Sequence, residues 1–223
     1  MPRVAVRSSA VRRGEGRPHP MRTAVIAGME EAGRLASAAV EEASRLVVAV
    51  EMGVAALRSG HQILFCGNGG SASQAAHLAA ELSGRFYYDR PALHALALTE
   101  NTAALTAIAN DYGYEHVFER QLMALAGAGD LLVALTTSGR SPNMREAVAC
   151  ASRLGVRVIG FTGLRGRSFA RSCDLAFVVP ASDTARIQEV HLLLGHLFCA
   201  QIEAELFPRA PSRQPKPRPR EAQ

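Results

Sequence analysis

Cysteine is scarce and scattered in this chain. Cys66, Cys150, Cys173 and Cys199 are the only four, and no two of them stand at C-x-x-C spacing. That excludes a cysteine-type zinc finger and offers no disulfide framework, so a reducing cytoplasm is the expected setting. No run of about 18 apolar residues occurs, which excludes a membrane-spanning helix. The N-terminus lacks the charged start, apolar middle and small-residue cleavage site of a secretory signal. Lysine is nearly missing too: Lys216 stands alone, and arginine supplies the rest of the positive charge. What remains is an ordinary globular composition, 48% hydrophobic and 20% charged over 223 residues. That length suits one sizeable α/β domain.

The formal charge of +5 invites a nucleic-acid reading. Its location argues against one. Five arginines against Glu15 give residues 1–20 a net +4. Arg209, Arg213, Lys216, Arg218 and Arg220 against Glu221 give residues 208–223 another +4, which leaves residues 21–207 near −3. A mildly acidic body lacks the electrostatic footprint of a nucleic-acid binder. Both tails read as disordered. The first has no apolar periodicity, and the second is broken by Pro208, Pro211, Pro215, Pro217 and Pro219. The expected organisation is a basic tail over 1–20, one domain over 21–207 and a Pro/Arg-rich tail over 208–223.

Between Thr23 and Ser59, Val25, Met29, Leu35, Val40, Leu46, Val50, Val54 and Leu57 recur at mostly helical spacings. One or two long amphipathic helices are expected, ending near Gly60. A helix this long, ahead of any strand, is expected to pack on another subunit. Strands then alternate with helices. Gln62–Cys66, Leu93–Leu98, Leu131–Leu135, Val156–Phe161 and Leu175–Val179 read as strands. Helical patterns run from the glycine turn through Glu81, over Thr102–Ala109, Glu115–Leu125 and Pro142–Leu154, and over Thr184–Leu206. Continuous apolar strands alternating with helices predict an α/β three-layer sandwich with a five-stranded parallel sheet. Ligands of such sheets sit beyond the carboxyl ends of the strands.

Two loops fall at that place. Gly67-Asn68-Gly69-Gly70-Ser71 follows a strand and opens a helix, where glycines permit close approach and free N–H groups face an anion. It matches neither G-x-G-x-x-G nor the G-K-[ST] of a P-loop, which disfavours a dinucleotide or ATP. Thr136-Thr137-Ser138-Gly139-Arg140-Ser141 follows the third strand. Capping by Ser141 would explain one hydroxyl; four hydroxyls in six residues suit a phosphate. His77 and Glu81 share a helix face, as metal ligands, as acid–base partners or as a plain ion pair. Gln188, His191 and His196 stand on a last helix that is otherwise mostly apolar.

CGNGGSASQAAHLAAELSGRF (Cys66–Phe86), AIANDYGYEHVF (Ala107–Phe118), TTSGRSPN (Thr136–Asn143) and DTARIQEVHLLLGH (Asp183–His196) together resemble the sugar-isomerase (SIS) domain, and within it the phosphoheptose isomerases. The resemblance covers about residues 21–207. It implies an aldose–ketose isomerase acting on sedoheptulose 7-phosphate, a cytoplasmic homotetramer with active sites at subunit contacts and one zinc per subunit. The family's metal ligands fall on His77, Glu81, Gln188 and His196. Glu81 would also be the base and His196 its acid–base partner. Substrate contacts fall on Asn68, Gly69, Gly70, Glu81, Asn110, Asp111, Thr136, Thr137, Ser138, Ser141 and Gln188. Two positions depart from the pattern: Thr136 replaces a serine, and Arg140 replaces a small polar residue. Gln188 and His196 are eight apart, about 12 Å along a helix. They share a site only if the glutamine reaches far or substrate lies between them. The rival reading is a non-catalytic SIS adaptor that binds a protein or senses a phosphosugar. A further SIS relative is non-enzymatic, keeping the phosphate loops while lacking parts of the catalytic set.

Overall fold

The computed structural model describes residues 19–209. The expectations for the two tails fall almost entirely outside them. Five parallel strands form the sheet: β1 (Ile63–Gly67), β2 (Ala95–Ala97), β3 (Leu131–Leu135), β4 (Arg157–Gly163) and β5 (Leu175–Val179), in the order β2-β1-β3-β4-β5. Side chains alternate across a strand. Ile63, Phe65, Leu131, Val133 and Leu135 therefore feed one apolar core, and Leu64, Cys66, Leu132 and Ala134 feed the other. The first core is covered by α1 (Pro20–Ala38), α2 (Ala43–Arg58), α3 (Gly70–Ser83) and α8 (Thr184–Leu206). The second lies under α4 (Thr102–Tyr112), α5 (Glu119–Leu125), α6 (Pro142–Arg153) and α7 (Arg167–Ala170). This is the three-layer α/β sandwich expected from the sequence.

The N-terminal segment is two helices joined by a 3₁₀ turn at Ala39–Glu42. Along α1, Met21, Val25 and Met29 stay exposed. Two differences from the sequence reading have local causes. β2 has three residues, because the Leu93 N–H goes to the Leu82 carbonyl at the end of α3 and not to a strand. α7 is a single turn, too short to leave a periodic signal.

The strand order places the site. The chain leaves β1 toward β2 on one side and β3 pairs with β1 on the other. That is a topological switch point, where the loops after the two strands diverge and leave a crevice. The loop after β1 turns at Gly69, whose φ of +55° is left-handed backbone that glycine adopts without steric cost.

His191, on α8, is fully buried, with its ring edge-on to Phe161. Among the described residues neither ring nitrogen makes a well-formed hydrogen bond. Burial pushes its pKa down to about 4, opposed only in part by the Thr162 main chain. The unfolded chain takes up the proton first as pH falls through about 6.5. Stability is thus full above that pH and lost toward pH 4, at up to about 1.4 kcal/mol per pH unit from this one group. His191→Gln should flatten the dependence. Urea unfolding of both proteins at pH 7 and pH 5 checks it; equal losses in the two would exonerate His191.

Candidate active site

Three helices begin at the crevice. A cavity of about 280 Å³ is lined by Asn68, Gly69, Gly70 and Ser71 at the start of α3, by Thr136, Thr137, Ser138 and Ser141 before α6, and by Thr184 and Gln188 on α8. Helix N-termini carry partial positive charge and unsatisfied N–H groups. Three of them around one cavity suit an anion without any lysine or arginine in the lining.

The hydroxyl loop is folded by its own oxygens. Thr136 Oγ1 accepts from Gly139 N at 3.2 Å, and Ser138 Oγ accepts from Arg140 N at 3.2 Å. Each hydroxyl keeps its own proton to donate. Ser141 makes no capping bond from its side chain. Helix capping therefore does not account for this loop. Arg140 is exposed and outside the cavity lining. Across the cavity, the Gln188 amide crowds Gly70 so closely that a Cβ there would meet Nε2 at 2.6 Å. Gln188 Nε2 also donates to Ser71 Oγ at 3.4 Å.

A second cluster lies two turns along the α3–α8 pair. His77 Nε2 and His196 Nε2 are 2.8 Å apart, and Glu81 Oε1 is 3.4 Å from the first. All three donors fall within 4.8 Å of one another. Burial pulls the His196 pKa below its usual value, His77 pulls the same way, and Glu81 opposes them. Gly70 and His77 are seven residues apart, about 10 Å along the helix axis. The cavity and this cluster thus lie at successive levels of the same helix pair, α3 and α8. The structure brings His77, Glu81 and His196 together, and leaves Gln188 at the cavity end.

The cluster forms because α3 and α8 approach closely at Gly195. A Cβ there would stand 2.6 Å from Leu78 Cδ1, and Leu78 is fully buried. Gly195→Ala gains about 1 kcal/mol of helix propensity against about 1–3 kcal/mol of overpacking. A lower Tm and a lower kcat are expected, with Leu78→Val in the same chain restoring part of both. Unchanged Tm and kcat in the single variant would show that the helices part freely here.

The donors suit zinc. Two imidazoles and a carboxylate are the mixed set that zinc takes and magnesium does not favour. A tetrahedral zinc at about 2.0–2.1 Å from each nitrogen needs the two nitrogens about 3.4 Å apart. They stand at 2.8 Å, so the rings need to part slightly, and the half-exposed His77 has room.

The SIS domain model matches residues 29–163. A phosphoheptose isomerase of Rhodospirillum rubrum is 48% identical over 168 residues, covering 75% of this chain and 86% of that protein. One of Aliarcobacter butzleri is 51% identical over 167 residues, covering 75% and 85%. The solved phosphoheptose isomerase of Neisseria gonorrhoeae superposes with a TM-score of 0.78 at 42% identity, covering 82% of this chain and 99% of that one. This chain belongs to the phosphoheptose isomerase family of SIS-domain proteins.

Against that family, the remaining sequence-predicted residues divide. Asn110 and Asp111 end α4, exposed and hydrogen-bonded to each other at 2.8 Å. Asp111 lines a separate surface cavity with Tyr112 and Arg120, not the anion cavity. The sequence reading passed over two contributors. Asn143 is buried and exchanges both amide hydrogen bonds with Asn68 at 2.9 Å. Tyr114 Oη donates to Asn68 Oδ1 at 3.1 Å. Asn143 thus ties the glycine loop to the hydroxyl loop. Its signal was a short amide in the first turn of α6, directly after the hydroxyls. Another cavity, about 610 Å³ between α2 and α8, is lined by Leu46, Val47, Val50 and Val54 together with Glu51, Arg58, Gln201 and Glu205.

Proposed function

We propose that this chain isomerises sedoheptulose 7-phosphate to D-glycero-D-manno-heptose 7-phosphate through an enediolate. The observation that carries the reading is the cavity at three helix N-termini on the same helix pair, α3 and α8, as the His77–Glu81–His196 cluster. Phosphate in the cavity supplies remote binding energy that orients the reacting carbons. Glu81 takes the proton from C1 and returns it to C2. His196 passes a proton between the two sugar oxygens. Burial lowers its pKa, which favours the neutral ring. Asn68, Gly69, Gly70, Thr136, Thr137, Ser138, Ser141 and Gln188 hold the substrate. An adaptor would leave the convergence of His77, Glu81 and His196 without a use. Purified protein and sedoheptulose 7-phosphate, followed by NMR, test the reading. No aldose signal at high enzyme concentration would overturn it.

We place one zinc per subunit on His77, Glu81 and His196; Gln188, named with them from the sequence, has its amide against Gly70 at the cavity end and stays with the substrate contacts. When bound, the zinc would polarise the sugar carbonyl and stabilise the enediolate oxygen. Metal analysis should show near-stoichiometric zinc. Chelation should lower turnover and zinc should restore it. Full activity in a verified metal-free sample would reduce these residues to acid–base and hydrogen-bonding roles.

The rest of the reading concerns assembly and place. We assign residues 21–207 to the catalytic domain, all proposed site residues lying between Asn68 and His196. The exposed apolar side chains of α1 support a homotetramer. Active sites at its contacts would give Asn110 and Asp111, remote from the cavity within one chain, a neighbour's site to complete. Among the described residues no helix is long and apolar enough to cross a membrane. A cytoplasmic setting fits a sugar-phosphate substrate.

A further inference from the structure

Arg90 and Glu203 form an ion pair at 3.0 Å with side chains 1% and 0% exposed. Removing two charges from water costs several kcal/mol per ion. Both ions are therefore saturated. Glu203 also accepts from Phe86 N at 2.9 Å and Tyr87 N at 2.8 Å. Arg90 donates to the carbonyls of Leu82 at 2.7 Å, Gly84 at 3.1 Å, Pro91 at 3.0 Å and Glu81 at 2.8 Å. Burial would raise the Glu203 pKa, yet the Phe86 and Tyr87 N–H groups and Arg90 hold it below the usual range.

Where these bonds lead matters more than their number. The last carbonyls of a helix have no intrahelical partner. Arg90 takes those of α3, in the turn that carries Glu81. Glu203 lies seven residues beyond His196 on α8, two turns along nearly the same face. Phe86, whose N–H Glu203 holds, sets its ring 5.7 Å from the His196 ring. The pair thus braces the helix of Glu81 against the helix of His196, with the 84–91 loop between them. The phosphate cavity lies at the other end of both helices.

We propose that Arg90 and Glu203 are positioning residues for the isomerase centre, fixing Glu81 relative to His196 and seating Phe86 against the His196 ring. This rests on the reading of Glu81 and His196 as the acid–base pair. Glu203→Gln alone leaves a buried, unbalanced guanidinium and is expected to fold poorly. The Arg90→Met/Glu203→Leu double variant removes both charges at similar volume, a replacement that often preserves stability. Arg90→Lys keeps the charge but cannot span the same carbonyls.

The test compares Tm, kcat, KM for sedoheptulose 7-phosphate and the ¹⁵N resonances of the His77 and His196 rings. A kcat lower by about 10²-fold in the double variant is expected, since a misplacement near 1 Å costs that much. KM should stay near the parent value, because the cavity is untouched. Arg90→Lys should fall between. A purely structural pair would move Tm and leave kcat and the resonances alone, which overturns the proposal. If the parent does not turn the sugar over, the proposed function fails by itself. The resonances then decide the positioning role: shifted in the double variant, it stands; unshifted, it falls.

Discussion

Glu81→Gln is expected to abolish isomerisation while leaving the fold and phosphate binding intact. The amide matches the carboxylate in size but cannot take a proton from carbon. General-base loss typically costs about 10²–10⁴-fold. Glu81 is partly buried on the last turns of α3, and its Oε1 faces His77 Nε2 at 3.4 Å. The glutamine can keep that contact, so the local packing should survive. Its backbone carbonyl still accepts from Arg90 at 2.8 Å. Because Glu81 is also a proposed zinc ligand, the metal content of the variant must be measured beside its rate. A variant that keeps its zinc and loses turnover assigns the proton transfer to the carboxylate. His196→Asn should resemble it, with kcat lost and substrate affinity retained. Turnover by Glu81→Gln near the parent rate would exclude Glu81 as the base.

The separation between the two halves of the site explains what could be read from sequence. β1 and β3 announced themselves because buried parallel strands are unbroken apolar runs, and β5, a partly buried edge strand, because its five residues are all apolar. β3 and β5 have the bounds the pattern predicts, and β1 is offset by one residue. β2 did not, since an edge strand of three residues bonded to one neighbour needs no long pattern. The two loops were legible because glycine and hydroxyl side chains act locally, within a turn. His77 and Glu81 were legible as a pair because four residues make one helical turn. Their meeting with His196, 119 residues away, depends on Gly195 lying under Leu78, and no local pattern carries that. Arg90 and Glu203, 113 residues apart, escaped for the same reason. Gln188 shows the limit most clearly. Its distance from His196 follows from helix rise, whereas only the packing of α3 on α8 sets its amide against Gly70 at the cavity.

That same separation makes the hydroxyl loop respond differently from the acid–base cluster. Thr137→Ala and Ser138→Ala are each expected to weaken substrate binding, with turnover persisting at high substrate. Both residues line the cavity at the three helix ends, and that lining includes no member of the cluster. A hydrogen bond to a charged group is worth about 1.5–3 kcal/mol, or about 10–100-fold in kcat/KM at 1.4 kcal/mol per decade. The loss should fall mainly on KM, because phosphate is held alike in the ground and transition states. Ser138→Ala should have a second consequence. Ser138 Oγ accepts from Arg140 N at 3.2 Å, so its removal also loosens the loop backbone. Thr137, with no such bond among those its neighbours make, should report the phosphate contact more cleanly. Steady-state kinetics with sedoheptulose 7-phosphate and with the phosphate-free sugar separate the two effects. The parent should lose most of its advantage when the phosphate is removed, and Thr137→Ala should lose little more. If Thr137→Ala weakened both substrates equally, its hydroxyl would be serving the sugar or the fold, and the cavity at the three helix ends would not be the phosphate site.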